Sequence, residues 1–251
     1  MGDTLDENFI LDDIEEYDEP EVTKVVKKHK SAKPEAVSAA PAIQKSKKRN
    51  WREAVSSGYS SSSSQCLLMR EAINFKGSAE LSSIEFEDMG ITDAAFIAIP
   101  EDCNKDFNSL TRVTDSVQDI FNAAKGASSP CVVILTPSTN RSSEISVPLA
   151  ETKPLTLQLH GTGRKQEQFS RMKKEMSKSG VVISVPSRIS RVCEESNLDF
   201  AHLRLVVLDM HVDPKGLNIL SMNETRDAIA KLFTTQLANR MKTGDCKVLL
   251  Y

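Results

Sequence analysis

The chain has 251 residues and a hydrophobic share of 39%, which is low for a chain that folds throughout, so we expect part of it to remain outside a packed domain. The formal net charge of -3 favours no class of partner, and no apolar run is long enough for a secretory signal or a membrane span, so we expect no membrane partner. Five cysteines without a CxxC pair are not typical of zinc ribbons or secreted disulfide scaffolds, and they favour reduced thiols in a nuclear or cytosolic protein.

The first 65 residues are predicted to form a disordered tail that is acidic first and then basic. Residues 1–20 carry nine acidic residues and no Lys or Arg, whereas residues 21–52 carry ten Lys or Arg and two acidic residues. This composition buries too little apolar surface to offset the entropy of ordering. The serines at 60–64 indicate a flexible connector to the domain that follows.

Within the tail, a basic patch favours nuclear import or contact with phosphate groups, and a linker made soluble by its charges is the alternative. The residues of this patch are Lys27, Lys28, Lys30, Lys45, Lys47, Lys48 and Arg49.

A folded domain is predicted from residue 66 to residue 251. Residues 66–110 contain short apolar runs without a clear period, so no element is assigned there. Residues 111–127 predict a helix, because apolar residues recur at helical spacing from Val113 to Ala124 and Gly126 can end it.

Strands and helices are predicted to alternate regularly after Pro130. Apolar runs predict four strands, at residues 131–135, 155–159, 181–185 and 205–208. Helices are predicted between and after them, at residues 140–150, 165–177, 187–195 and 223–237. This order indicates a single α/β domain in which helices flank a parallel sheet on both faces.

No catalytic or metal-binding constellation stands out. Residues 161–165 superficially resemble a nucleotide-binding loop, but Gln158, Arg164 and Lys165 occupy the positions that require Gly, Lys and a hydroxyl residue. The four histidines have no partner at metal-ligand spacing, and no Ser lies in a Gly-x-Ser-x-Gly motif. Asp209 at a strand end could hold Mg²⁺, but without a phosphate cradle we favour a cap on the following turn. We therefore expect no enzyme, no metal and no cofactor.

Three loops that follow predicted strands carry small, hydroxyl and basic residues. The carboxyl ends of parallel strands share one edge of a sheet, which is the usual ligand side of such folds. Hydroxyl groups, backbone N–H groups and cations suit a sugar-phosphate backbone, although each loop by itself also fits ordinary turn chemistry. The candidate RNA-binding residues are Thr136, Pro137, Arg141, Gly161, Thr162, Arg164, Lys165, Pro186, Ser187 and Arg188.

The same loops are where the chain resembles the first RecA-like lobe of DEAD-box RNA helicases. Residues 134–137, 160–162 and 182–189 are similar, in order and spacing, to the helicase elements that grip the RNA backbone. The strand that ends at Leu208 resembles the one that leads into the DEAD box. At that degenerate position Asp209 is kept, but Met210 replaces the acid that helps to activate water. The resemblance implies a RecA-like lobe that has lost ATP hydrolysis.

The combination of an acidic-then-basic tail, a lone lobe and a missing ATP site resembles the CMS-one ribosomal small subunit homologue family. Residues 81–96, the helix-rich region 209–229 and the apolar end 248–251 are similar as well, whereas Ser187 departs from the Gly often found there. The resemblance implies a subunit of the 90S pre-ribosome in the nucleolus.

The function expected from this resemblance is a non-catalytic RNA- or protein-binding factor in small-subunit biogenesis and pre-rRNA processing. Its partners would be pre-ribosomal RNA and small-subunit assembly proteins, with no small-molecule substrate. Two alternatives stay open. One is an ATP-dependent RNA remodelling enzyme that works with a partner's lobe, and the other is a pure protein adaptor within the pre-ribosome.

Overall fold

The structure is a computed structural model that describes residues 58–75, 80–101, 103, 107–124, 130–152, 156–159, 166–196 and 200–251. These residues all belong to one compact unit. The basic patch and nearly all of the predicted tail lie outside the described residues, and so do Gly161, Thr162, Arg164 and Lys165.

The core of the domain is a five-stranded sheet in which all neighbouring strands run parallel, in the order β2-β3-β1-β4-β5. The strands are β1 Val132–Leu135, β2 Thr156–Gln158, β3 Val181–Ser184, β4 Leu205–Leu208 and β5 Lys247–Leu250. Every residue of β1, β3 and β4 is buried, as is typical of strands that are covered on both faces. The predicted α/β class is therefore confirmed.

The α-helices of the described residues are α1 Ser62–Asn74, α2 Ser83–Asp88, α3 Asp115–Ala124, α4 Thr139–Thr152, α5 Gln166–Met176, α6 Pro186–Ser196, α7 Asn223–Lys231 and α8 Ala238–Lys242. Short 3-10 helices lie at Asp93–Ala95 and Phe107–Arg112, and a π-helical turn at Leu232–Gln236 continues α7. None of these helices is long and apolar enough to cross a membrane.

The strand order decides which helices share a face of the sheet. The chain moves in one direction along the sheet from β1 to β2, and in the opposite direction from β2 to β3 and from β3 to β4. Right-handed crossovers therefore place α4 on one face and both α5 and α6 on the other. The packing agrees, because α4 contacts β2, β3 and the Phe107–Arg112 turn, while α5 packs on α6 and α6 packs on α7.

The predicted flexible connector at residues 60–64 is corrected, because α1 begins inside it. The Ser61 hydroxyl accepts a hydrogen bond from the Ser64 N–H at 3.1 Å, which caps the helix. The Ser62 hydroxyl donates to the Phe96 carbonyl at 2.9 Å. Next in the chain, buried Gln65 donates to the Ile97 carbonyl and accepts from the Leu250 N–H. Capping and these distant contacts therefore order a serine run whose composition alone predicts flexibility.

The predicted helix at residues 111–127 is shorter in the structure. It begins at Asp115 because the Thr114 hydroxyl accepts from the Val117 N–H at 3.3 Å and caps the first turn. Its buried stripe contains Val117, Ile120, Phe121 and Ala124, as the spacing predicts. The end of α3 lies so close to the start of β3 that a Cβ on Gly180 would clash with the Ala124 carbonyl oxygen.

Candidate functional site

The site is built from loops at the carboxyl edge of the sheet. Residues 136–141 follow β1, residues 185–188 follow β3, and residues 209–214 follow β4. Because β1 pairs with both β3 and β4, the first of these loops lies between the other two. The structure thus brings together the candidate residues of the loops after β1 and β3. The candidates after β2 are outside the described residues.

Thr136 points into the domain and not toward a ligand. It is completely buried, and its hydroxyl lies 2.5 Å from the Ser142 hydroxyl and donates to the Ser138 carbonyl at 3.1 Å. Its N–H donates to the Ser184 carbonyl of the neighbouring strand. Thr136 therefore joins the end of β1 to the first turn of α4, and its hydroxyl is not presented to solvent.

Arg141 is the best-connected candidate. Its Nε donates to Asp209 Oδ2 at 2.9 Å, and its Nη1 donates to Glu144 Oε2 at 3.0 Å. The guanidinium carbon lies 5.4 Å from the centre of the Phe107 ring, within reach of a cation–π contact. Burial lowers the pKa of Arg141, but the two carboxylates outweigh burial and raise it. Only 23% of the side chain is exposed, so Arg141 offers little free surface to a phosphate.

Asp209 is held by two partners and is 1% exposed. Besides the bond from Arg141, its Oδ1 accepts the His211 N–H at 3.1 Å, which is the predicted cap on the turn after β4. Burial raises the pKa of Asp209, and the nearby Arg141 only partly opposes this shift. Both carboxylate oxygens are therefore used inside the protein.

Met210 is part of the core. Its side chain is 3% exposed, and its N–H donates to the Tyr251 carbonyl at 2.7 Å. The Tyr251 ring meets the Phe107 ring edge to face, with centroids 5.3 Å apart. The position next to Asp209 thus belongs to the hydrophobic core, in which an acid would be buried.

The loop after β3 leads directly into α6. Pro186 is buried at the first helical position, where the missing N–H has no cost, and Ser187 is exposed. Arg188 is half-buried, and its Nη1 donates to the Leu159 carbonyl at 2.6 Å. Burial lowers the pKa of Arg188. Arg188 therefore ties α6 to the end of β2, and Ser187 is the more accessible of the two.

The accessible groups at this edge are polar and lie in the first turns of two helices. Ser138, Thr139 and Asn140 are exposed at the start of α4, and Ser187 is exposed at the start of α6. The first N–H groups of a helix have no partner within it and carry partial positive charge. Hydroxyl groups and such N–H groups can donate to the phosphate oxygens of a nucleic-acid backbone.

The described residues contain no group of three or more His, Cys, Asp or Glu that could hold a metal ion. Burial raises the pKa of Cys66 to about 11 and those of Cys193 and Cys246 to about 12, so these thiols stay protonated and are poor nucleophiles near neutral pH.

Glu144 and Phe107 were not singled out from the sequence, and the pairing of Arg141 with Asp209 was not predicted either. Glu144 lies three residues further along a predicted helix, and i,i+3 spacing is a signal that could have paired the two. Phe107 lies in a segment without periodicity, so no local pattern indicates that its ring reaches Arg141.

A comparison with protein families identifies the chain. The model of the CMS1 family, described as a U3-containing 90S pre-ribosomal complex subunit, matches residues 69–251. No curated protein matches the chain. The family match spans well over half of the sequence and confirms the family that the residues predicted. The chain therefore belongs to the CMS1 family of U3-containing 90S pre-ribosomal complex subunits.

Proposed function

We propose that this protein is a non-catalytic factor of the nucleolus that binds pre-ribosomal RNA and small-subunit assembly proteins. Membership of a 90S pre-ribosomal subunit family supports a role in ribosome biogenesis. The observation that carries the non-catalytic part is the ion pair between Arg141 and Asp209. Hydrolysis of a nucleoside triphosphate needs a metal that bridges its phosphates and a carboxylate free to hold that metal. Here that carboxylate is buried and already holds a cation.

RNA binding is proposed for the β2 and β3 side of the carboxyl edge. Exposed Ser187, in the first turn of α6, supplies neutral donors there. Arg164 and Lys165 follow β2 in the chain and are the cations proposed to neutralise phosphate. Arg141 and Arg188 are proposed to shape the loops, because their guanidinium groups already hold protein acceptors. The resemblance to helicase lobes supports this assignment, since the matching helicase loops grip the RNA backbone.

Crosslinking of the full-length protein to RNA in cells tests this proposal. We expect Arg164→Glu combined with Lys165→Glu to lower the recovery of crosslinked pre-rRNA by about tenfold, because each reversal replaces attraction to phosphate with repulsion. The matched control combines Lys178→Glu with Lys242→Glu. These two exposed lysines precede β3 and β5 and therefore lie toward the opposite edge of the sheet. Unchanged crosslinking in the first double variant would refute RNA binding at this edge.

ATP turnover separates the proposal from the ATP-dependent alternative. The purified protein, alone and with pre-ribosomal particles, is expected to release no phosphate from ATP above the level of an Asp209→Ala variant. Turnover that Asp209→Ala abolishes would establish the enzyme. The protein-adaptor alternative predicts that RNA crosslinks occur only on neighbouring proteins.

The basic patch is proposed to direct nuclear import. Replacing Lys45, Lys47, Lys48 and Arg49 by Ala in a fluorescent fusion is expected to move the protein from the nucleus to the cytoplasm. A fusion that stays nuclear after this change would refute import through these four residues.

A further inference from the structure

A groove runs along the other side of the carboxyl edge, beside β1 and β4. It consists of two adjoining cavities of about 410 and 210 Å³ that share Pro137 and Met222 in their walls. The larger cavity lies against the first turn of α7, and the smaller one lies between α4 and residues 211–214. The larger volume is within the roughly 300–1,000 Å³ that ligand pockets occupy.

Apolar, polar uncharged and acidic residues line this groove. Pro137, Met222 and Leu217 line it, and Leu217 is 36% exposed. Val212, directly before Asp213, is 43% exposed. The acidic groups in its walls are Glu144, Asp213 and Glu224. Exposed apolar side chains grouped in one concavity are typical of surfaces that contact another protein.

The charge of the groove disfavours RNA. Arg141 lines the smaller cavity, but its guanidinium is shared between Asp209 and Glu144 and so cannot neutralise further acids. His211 lines the same cavity, and Lys215 follows Pro214. Glu144 matches Arg141, and Lys215 is not part of either lining, so Asp213 and Glu224 leave the lining with excess negative charge, which repels phosphate and attracts Lys or Arg side chains.

The wall of the groove is pre-formed. Asp213 Oδ1 accepts the Leu217 N–H at 2.7 Å, and the Asp213 N–H donates to the Leu217 carbonyl at 2.8 Å. Gly216, at φ 77°, makes this tight turn possible. Buried Asn218 then accepts from the N–H groups of Leu220 and Ser221, at 2.9 Å each. A loop that is already ordered loses little entropy when a partner binds.

We propose that this groove docks an extended segment of a partner protein that carries a Lys or Arg beside an apolar side chain. The apolar side chain packs on Pro137, Leu217 and Met222, while the cation lies against Glu224. The inference rests on the proposed function as an assembly factor and names the chemistry of one of its protein partners. It also divides the carboxyl edge, with RNA toward β2 and β3 and protein toward β1 and β4.

Photocrosslinking within purified 90S particles tests the docking. A photoreactive amino acid replaces Leu217 in the full-length protein, and the crosslinked peptide is identified by mass spectrometry. We expect one recurrent protein segment with Lys or Arg within a few residues of an apolar side chain. The control position is Ile84, an exposed apolar residue of α2. A crosslink to RNA at position 217, or no more protein crosslinking than at position 84, would overturn the proposal.

A charge-swap experiment then tests the role of Glu224. A synthetic peptide of the identified segment is expected to bind Glu224→Lys at least tenfold more weakly than the wild type, and a peptide with its cation replaced by Glu is expected to recover that loss. Glu87→Lys on α2 is the matched control, because Glu87 is exposed and is not part of the groove. Absence of recovery would overturn the charge assignment.

The two proposals fail in different ways. If the groove inference is wrong, Glu224→Lys keeps all protein contacts, whereas pre-rRNA crosslinking still depends on Arg164 and Lys165. If the RNA proposal is wrong, the crosslink from position 217 to protein persists while the Arg164→Glu and Lys165→Glu variant shows unchanged RNA recovery. Thermal unfolding of each variant verifies that the fold is intact.

Discussion

Arg141 donates from Nε to Asp209 Oδ2 across 2.9 Å, and this bond joins the first turn of α4 to the residue after β4. The two residues are 68 positions apart in the chain. The Arg141 guanidinium thus occupies the position in which the Asp209 carboxylate could otherwise hold another cation. Phe107 supports the guanidinium from one side and in turn meets Tyr251. These contacts hold the loop after β1, the Phe107–Arg112 segment and the end of β5 together at the carboxyl edge.

Removing Arg141 is expected to destabilise the domain more than neutralising Asp209. Arg141→Gln leaves an uncompensated carboxylate that is 1% exposed, which costs about 3–5 kcal/mol. Asp209→Asn keeps an acceptor for the His211 N–H and leaves Arg141 with Glu144, so its cost is smaller. Urea unfolding of the two single variants and the double variant measures the coupling. A double variant whose loss equals the sum of the single losses would show that the pair contributes no coupling.

The stability of the domain should depend on the ionisation of Asp209. Burial raises its pKa above the ordinary 3.8, so the folded protein binds this proton at higher pH than the unfolded chain does. The stabilising contribution of the group is therefore fully present below about pH 3.8 and is lost as pH rises through the folded-state pKa. As the pH rises through that pKa, we expect Asp209→Asn to become more stable relative to wild type. Denaturant unfolding of both proteins at pH values below and above this pKa measures the difference in stability. A trend in the opposite direction would mean that Arg141 outweighs burial.

Restoring an acid at position 210 should not restore ATP hydrolysis. Met210 is 3% exposed, so Met210→Glu buries a second carboxylate next to Asp209 and should cost roughly 3 kcal/mol or more. Met210→Leu preserves apolar volume and should cost less than about 1.5 kcal/mol. Thermal unfolding and a phosphate-release assay on both variants check the two statements. ATP turnover in the Glu variant would contradict the interpretation that Arg141 blocks the metal position.

The strands were predictable because their apolar runs are continuous. The runs at 131–135, 181–185 and 205–208 contain β1, β3 and β4 to within a residue at either end. β5 was not predicted, although its apolar residues were noted. Its four residues are placed by pairing with β4, and the Leu250 N–H donates to Gln65, which is distant in the chain. The helix predicted at 223–237 changes to a π-helical turn at Leu232. This turn contains Thr234 and Thr235, whose hydroxyls donate to carbonyls of the preceding turn.

The clustering of the candidate loops after β1 and β3 was predictable, and the contacts of their side chains were not. Parallel strands bring the loops after β1 and β3 to one edge, and this follows from the order of elements alone. The contacts of the candidate Arg141 were not predictable, since its partners Asp209 and Phe107 come from distant segments. The groove depends likewise on how the loop at residues 213–222 folds on itself, and no period in the sequence indicates that.

Arg226 holds the segment that forms one wall of the groove. This side chain is 1% exposed, its guanidinium carbon lies 4.1 Å from the centre of the Phe75 ring, and burial lowers its pKa. Its Nη1 donates to the Leu220 carbonyl at 3.2 Å, and its Nη2 donates to Asn223 Oδ1 at 2.6 Å. Arg226→Lys cannot hold both acceptors and the ring in one geometry, so we expect a loss of about 2 kcal/mol.

Hydrogen exchange can locate that loss. The amides of residues 218–223 should exchange faster in Arg226→Lys than in wild type, because the carbonyl and amide groups that shape the groove lose their shared donor. Strand β3, on the other side of the sheet, is the internal reference and should change only with global stability. Lys231→Arg, at the exposed end of α7, is the matched control substitution. Uniform change across the domain would show that Arg226 stabilises the whole fold and has no specific effect on the groove.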